Sequence, residues 1–179
     1  MAKAGVVYIG TADGLVVLSD PGATGRWRKI GHELVGQAVQ AIAAETALAV
    51  LVATPQGRLQ SSDGGQTWNP APDAELPPAP VTEVTLLGNP PVQLRTVPMP
   101  DYLGIERRVN NELLWEGIAL PAASVGNISV LALAHYHRDV VWAGTDAGAV
   151  LRSDDRGRTW ELVIDGLAMV LSVAAVRLM

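Results

Sequence analysis

The strongest constraint on this chain is a phrase that it uses twice. Ser61-Ser62-Asp63-Gly64-Gly65-Gln66-Thr67-Trp68 and Ser153-Asp154-Asp155-Arg156-Gly157-Arg158-Thr159-Trp160 both read S-x-D-x-G-x-T-W. Each is preceded by an apolar run that closes on a small residue and a threonine, followed by a glycine turn: LVATPQG at 51–57 and VWAGTDAG at 141–148. The same lead-in, YIGTADG at 8–14, opens a worn copy that ends at Trp27. A still more eroded copy has VQLRTV at 92–97, Gly104 in the turn position and Trp115 at its end. Four of the five tryptophans therefore recur every 41 to 47 residues, and Trp142 falls in a strand.

A period of that length belongs to propeller blades or to helical repeat units. Composition separates the two. Each unit is built from short runs rich in Val, Ile, Leu and Thr, punctuated by Gly, Pro, Asn and Asp, which is strand-and-turn chemistry. GHELVGQAVQAIAAE at 31–45 carries a helix-like stripe of Leu34, Val35, Ala38, Val39 and Ile42. Its glycines, and its equivalence to the plainly β segment PVTEVTLLG at 80–88, assign it to a strand instead.

The S-x-D-x-G-x-T-W segments resemble Asp-box (BNR) repeats, found in sialidases, sortilin-type receptors, xyloglucan hydrolases and photosystem II assembly factors. The resemblance implies a β-propeller whose blades each hold four antiparallel strands. It also implies that the boxes lie at the blade periphery, away from an active-site face. Two copies match in full and two are degenerate. The motif specifies a fold and says little about function.

Strand counting gives an all-β propeller of four four-stranded antiparallel blades per chain. The first blade has three strands near 6–11, 15–19 and 26–30. Full blades follow at 38–72, 80–119 and 126–164, and the whole of 1–179 reads as one propeller or half-propeller domain. One strand, 168–178, is left over, and it completes the first blade, which removes two exposed edges. Closure in cis gives four blades. Closure in trans, the favoured expectation, gives an eight-bladed homodimer in which each C-terminal strand completes its partner's first blade.

The box residues read as structural. An aspartate in a tight hairpin accepts backbone N–H groups, which assigns that role to Asp63 and Asp155. Gly65 and Gly157 supply backbone freedom, Ser61, Thr67, Ser153 and Thr159 add turn bonds, and Trp68 and Trp160 anchor the outer strand. Sialidase chemistry, as the resemblance would have it, needs an arginine triad with tyrosine, glutamate and aspartate. With only Tyr8, Tyr102 and Tyr136, and no recognisable triad, the chain reads as a non-enzyme. His135 and His137 alternate and could share a metal with Asp139, but the segment reads better as a polar loop between two strands, so no metal or other cofactor is expected. His32 reads as an isolated surface residue.

Two long loops remain. Residues 69–80 carry Pro70, Pro72, Pro77, Pro78 and Pro80, and 98–104 lengthen a turn that is short in the other copies. By propeller geometry both open on one face, which makes Asp73, Glu75, Asp101 and Tyr102 candidate partner contacts. The formal net charge of −5 gives no electrostatic reason to bind nucleic acid or an anionic membrane. The absence of cysteine excludes disulfides and thiolate chemistry. The start, MAKAGVVYIG, does not read as a signal peptide, and a cytoplasmic location is expected. The leading expectation is a non-catalytic scaffold for protein–protein interaction or assembly. The alternatives are a carbohydrate-binding or glycan-processing propeller, and a half-propeller whose main property is self-assembly.

Overall fold

The computed structural model describes residues 4–101, 103–121 and 126–178. Among them every regular element is a strand. Strands β1 (Gly5–Thr11), β2 (Gly14–Asp20) and β3 (Arg28–Glu33) are followed by β4 (Ala41–Ala44), β5 (Val50–Thr54), β6 (Gly57–Ser61) and β7 (Asn69–Pro70). Next come β8 (Glu83–Leu86), β9 (Val92–Pro98), β10 (Leu103–Val109) and β11 (Glu116–Ile118). The chain ends with β12 (Ile128–Leu133), β13 (Val141–Thr145), β14 (Val150–Ser153), β15 (Glu161–Ile164) and β16 (Val170–Arg177). These strands form four four-stranded antiparallel sheets, ordered β16-β1-β2-β3, β4-β5-β6-β7, β8-β9-β10-β11 and β12-β13-β14-β15.

The threonine–glycine lead-ins are what fold the central hairpins. Thr11 pairs with Gly14 across a two-residue turn, and Thr54 pairs with Gly57 in the same way. In each, the threonine hydroxyl donates to the glycine carbonyl at 2.9 Å and accepts the N–H of the intervening residue, Asp13 at 3.1 Å or Gln56 at 3.2 Å. Gly14 and Gly57 hold φ of 95° and 132°, a region that L side chains rarely adopt. The third copy closes differently: Gly148 N–H donates to the Thr145 carbonyl at 3.2 Å, and Ala149 N–H donates to the Thr145 hydroxyl at 3.0 Å.

The chain divides into two compact units, Met1–Pro80 with Leu171–Met179, and Val81–Val170. In the first, Tyr8, Leu15, Val17, Val39, Val50 and Val52 form a continuous core from the two sheets. In the second, Leu94, Ile105, Ile128, Leu131, Val141, Leu151 and Trp160 do the same. β1, β2, β13 and β14 are buried at every position, while β5 and β8 alternate along their length. Alternation is the mark of a strand covered on one side, and the continuous apolar runs belong to the fully covered strands.

The expected leftover strand is β16, which lies next to β1 of its own chain. Leu178 N–H donates to the Ala4 carbonyl at 3.1 Å, and the Ser172 hydroxyl donates to the Val39 carbonyl at 3.0 Å. The outer edge of β1 is thereby paired. All four periodic tryptophans stand one residue before an outer strand: Trp27 before β3, Trp68 before β7, Trp115 before β11 and Trp160 before β15. The segment 31–45 resolves into the end of β3, turns in which Leu34 and Gly36 have positive φ, and then β4.

Candidate functional site: two boxed clefts

Both full boxes close in the same way. Ser61 Oγ donates to Asp63 Oδ1 at 2.8 Å and accepts the Gly65 N–H at 2.8 Å. Asp63 then accepts the Thr67 N–H at 2.9 Å and the Thr67 hydroxyl at 2.6 Å, one on each oxygen. Trp68 Nε1–H donates to the Gly65 carbonyl at 2.9 Å. In the second copy Ser153, Asp155, Gly157, Thr159 and Trp160 repeat these bonds at 2.8, 2.8, 2.9, 2.6 and 3.2 Å. The Arg158 N–H adds a further bond to Asp155 at 3.0 Å. Both carboxylates are thus committed to their own hairpins.

The Thr67 hydroxyl bond, with the Thr67 N–H and Ser61, holds the Asp63 carboxyl down at a pKa of about 2. At Asp155 burial opposes ionisation, yet the bonds from Thr159, Ser153 and Arg158 keep its pKa below the ordinary value. A carboxyl depressed in the folded state stabilises the fold fully above its unfolded pKa of about 3.9. That contribution is lost as pH falls through the folded value of about 2. Thermal unfolding of wild type should therefore steepen in its pH dependence between about pH 4 and pH 2, and Asp63→Asn should be flatter there. Parallel profiles below about pH 4 would count against this role for the Asp63 charge.

A third box survives where the sequence reading saw only wear. Asp20 Oδ1 accepts the Thr24 N–H and the Thr24 hydroxyl, both at 3.1 Å, and Asp20 Oδ2 accepts the Gly25 N–H at 2.7 Å. The signal was present as D-x-G-x-T over Asp20–Thr24, but the serine is missing and the tryptophan is displaced to Trp27. In the fourth copy Asn110 and Asn111 replace the box with a tight turn. Both have positive φ, 51° and 54°, and the Glu112 N–H donates to the Val109 carbonyl at 3.0 Å.

Each full box borders a cleft against the neighbouring sheet of its own unit. In the first unit the cleft, about 320 Å3, is lined by Val6, Tyr8, Val17 and Ile30 facing Asp63 and Gly64. Tyr8 donates to the Ala47 carbonyl at 2.7 Å, and burial pushes its pKa up to about 12. In the second unit the cleft, about 360 Å3, is lined by Val92, Arg107, Val109, Asp155, Arg156 and Arg158 among others. Arg107 is only 6% exposed, and its Nε–H donates to the Arg156 carbonyl at 3.1 Å.

The candidate loop residues are placed separately. Asp73 and Glu75 are exposed in the segment after β7, which is tied down by the Ala71 N–H donating to the Arg58 carbonyl at 2.9 Å and by the Arg58 guanidinium donating to the Pro72 carbonyl. Asp101 is exposed beside β10, and Tyr102 lies outside the described residues. His135 and His137 belong to the turn between β12 and β13, where the His137 N–H donates to the Ala134 carbonyl at 2.9 Å. Asp139 faces Arg156 Nε at 3.6 Å. Among the described residues no group of three or more His, Cys, Asp or Glu is arranged to hold a metal ion. His32 is half-buried rather than free on the surface, with Nε2 2.6 Å from the Asp13 carbonyl oxygen. No helix among the described residues is long and apolar enough to cross a membrane.

No protein-family model matches this chain, and no curated protein matches it. Solved structures that it resembles include an ancestral GH74 enzyme, at 18% identity and a TM-score of 0.36, with 87% of this chain covering 22% of that one. The GH74 xyloglucanase from Xanthomonas campestris gives 18% identity and a TM-score of 0.34, with 89% of this chain covering 28% of the enzyme. YCF48 bound to D1 peptide gives 15% identity and a TM-score of 0.30, over 92% of this chain and 78% of that one. The chain thus spans about a quarter of the length of the GH74 proteins.

Proposed function

We propose that this chain is a non-catalytic β-propeller scaffold, cytoplasmic, that works by binding another protein. The observation that supports this most is Leu76, 67% exposed in the 69–80 segment between the carboxylates of Asp73 and Glu75 and a run of prolines. An apolar side chain held out on a proline-stiffened, acid-flanked loop is suited to docking against a complementary protein surface. The carboxylates that the Asp-box repeats supply are engaged in their own turns, which also favours a structural use of the repeats. Asp101 and Tyr102 in the 98–104 loop are the second candidate contact.

Affinity capture from native-host extract, with Leu76→Glu beside wild type and proteins identified by mass, tests the reading. A partner retained by wild type and lost from the variant supports it. Equal capture by both, or reproducible saturable binding on a glycan array, overturns it in favour of a different surface or a carbohydrate ligand.

The oligomer is part of the same proposal. β16 is both the last strand in the chain and the edge partner of β1, so a second copy's β16 can make the same pairing without new chemistry. Two chains exchanging it would form one eight-bladed ring. Light scattering across a dilution series should then show a species of twice 18.8 kDa, and a persistent monomer would end the exchange reading.

A further inference from the structure

The two boxed clefts are repeats of one another, and only one of them is lined by arginines. In the first unit Ser19 pairs with Val6, and Val17 pairs with Tyr8 two residues further along β2. In the second unit Val109 pairs with Val92, and Arg107 pairs with Leu94 at the corresponding place on β10. The box motifs align Gly64 with Arg156 and Gln66 with Arg158. Three cleft-lining positions that are Val17, Gly64 and Gln66 in one copy are therefore Arg107, Arg156 and Arg158 in the other. The first copy closes its box without any of these cations, so the hairpin does not require them.

The three aspartates that line the cleft, Asp139, Asp154 and Asp155, match its three arginines in number, but each is engaged away from the outer nitrogens of Arg107 and from the Arg158 guanidinium. Asp155 is committed to the box through both oxygens. Asp139 faces Arg156 at 3.6 Å, and Asp154 lies 3.6 Å from Arg152. Arg156 is further fastened to the Leu86 carbonyl at 3.3 Å, and a side chain at Gly88 would collide with its guanidinium, 2.8 Å from the Cβ position. Arg107 uses Nε on the Arg156 carbonyl, and among the described residues its remaining N–H groups have no acceptor. Arg158 bonds Asp155 through its backbone N–H, and among the described residues no acceptor or carboxylate holds its exposed guanidinium. Burial, with repulsion from Arg158 and Arg156 only partly offset by Glu116 and Asp155, makes the charged form of Arg107 costly as it stands.

We propose that this cleft is a binding site for a single oxyanion group, of phosphate or carboxylate type, held by the outer nitrogens of Arg107 and by Arg158. The guanidinium fork is the side chain best matched to two oxygens of such a group. Burial of Arg107 strengthens its charge-assisted bonds over their value in water, while Arg158 reaches the group from the exposed rim. Arg156 positions the site: its carbonyl fixes the Arg107 fork, while its own guanidinium is turned to Asp139 and the Leu86 carbonyl. The proposal is independent of the scaffold reading, because it concerns a different surface of a single unit.

Titration calorimetry with inorganic phosphate and, separately, succinate, at fixed ionic strength against chloride, tests it. Wild type should give saturable binding to one of them. Arg158→Gln, which restores the residue of the other copy, should weaken that binding at least about tenfold while leaving the melting temperature in chloride unchanged. Arg107→Val, also the other copy's residue, should abolish it, and if that variant does not fold, Arg158→Gln decides alone. Saturation by phosphate identifies a phosphate-type ligand, and saturation by succinate a carboxylate. Absence of saturable binding to either anion, or equal affinity in wild type and Arg158→Gln, overturns the proposal.

Discussion

Trp160→Ala is expected to cost about 3–5 kcal/mol of folding free energy, and Trp115→Ala about 1–2 kcal/mol, although both tryptophans end the same repeat. Trp160 is 8% exposed and packs into the core formed with Leu94, Ile105 and Leu151, so truncation leaves a cavity among side chains that already fill their space. Its Nε1–H also satisfies the Gly157 carbonyl at 3.2 Å. Trp115 is half-exposed and has two guanidinium groups over its ring, Arg95 at 3.9 Å and Arg108 at 4.5 Å from the ring centre. Those arginines keep other partners after truncation, Glu106 at 2.9 Å and Gln93 at 2.8 Å, so they are not left stranded. What is lost is a pair of partly solvated cation–π contacts, each about 0.5–1 kcal/mol. Denaturant unfolding of the two variants with matched slopes is the measurement, and equal losses would show that Trp160 is not packed as described.

The architecture was legible because the repeat supplies the same information several times. Periodic tryptophans mark the outer strands, threonine–glycine pairs mark the central hairpins, and counting the runs between them gives sixteen strands, the number found among the described residues. Legibility failed where a function is kept by different atoms. Asp20 still gathers Thr24 and Gly25, but a reading keyed to the serine and the tryptophan passes over it. Asn110 and Asn111 keep the turn by adopting positive φ, for which the box motif carries no symbol. The arginine-lined cleft was illegible for a further reason. Arg107 lies in an ordinary-looking strand, and its neighbours Arg156 and Arg158 occupy the variable positions of a motif whose fixed positions draw the eye. Only the register of β9 on β10, with the two boxes superimposed, reveals that three substitutions face one space.

The last prediction separates positions that the sequence presents as the same glycine. Gly57, Gly14 and Gly148 each follow a threonine by three residues, and all have positive φ: 132°, 95° and 78°. An alanine at any of them pays backbone strain of about 1–2 kcal/mol, partly offset by a less flexible unfolded chain. Beyond that they diverge. The Cβ added at Gly57 meets nothing within 4 Å. At Gly14 it falls 2.5 Å from the Glu33 carbonyl oxygen, and at Gly148 it falls 1.8 Å from that of Leu167, with the Leu167 carbonyl carbon at 2.5 Å. Backbone cannot swing aside as a side chain does, and Leu167 is itself fixed by its N–H donating to the Gly148 carbonyl at 3.1 Å. Gly57→Ala should lower the melting temperature by roughly 2–4 °C, Gly14→Ala by more, and Gly148→Ala should lose cooperative unfolding, as expected for a loss above about 4 kcal/mol. Melting curves followed by circular dichroism decide it. Similar shifts in all three would mean that the strand-end backbone around Leu167 yields to a methyl group, and that the close approach at Gly148 is not what requires glycine there.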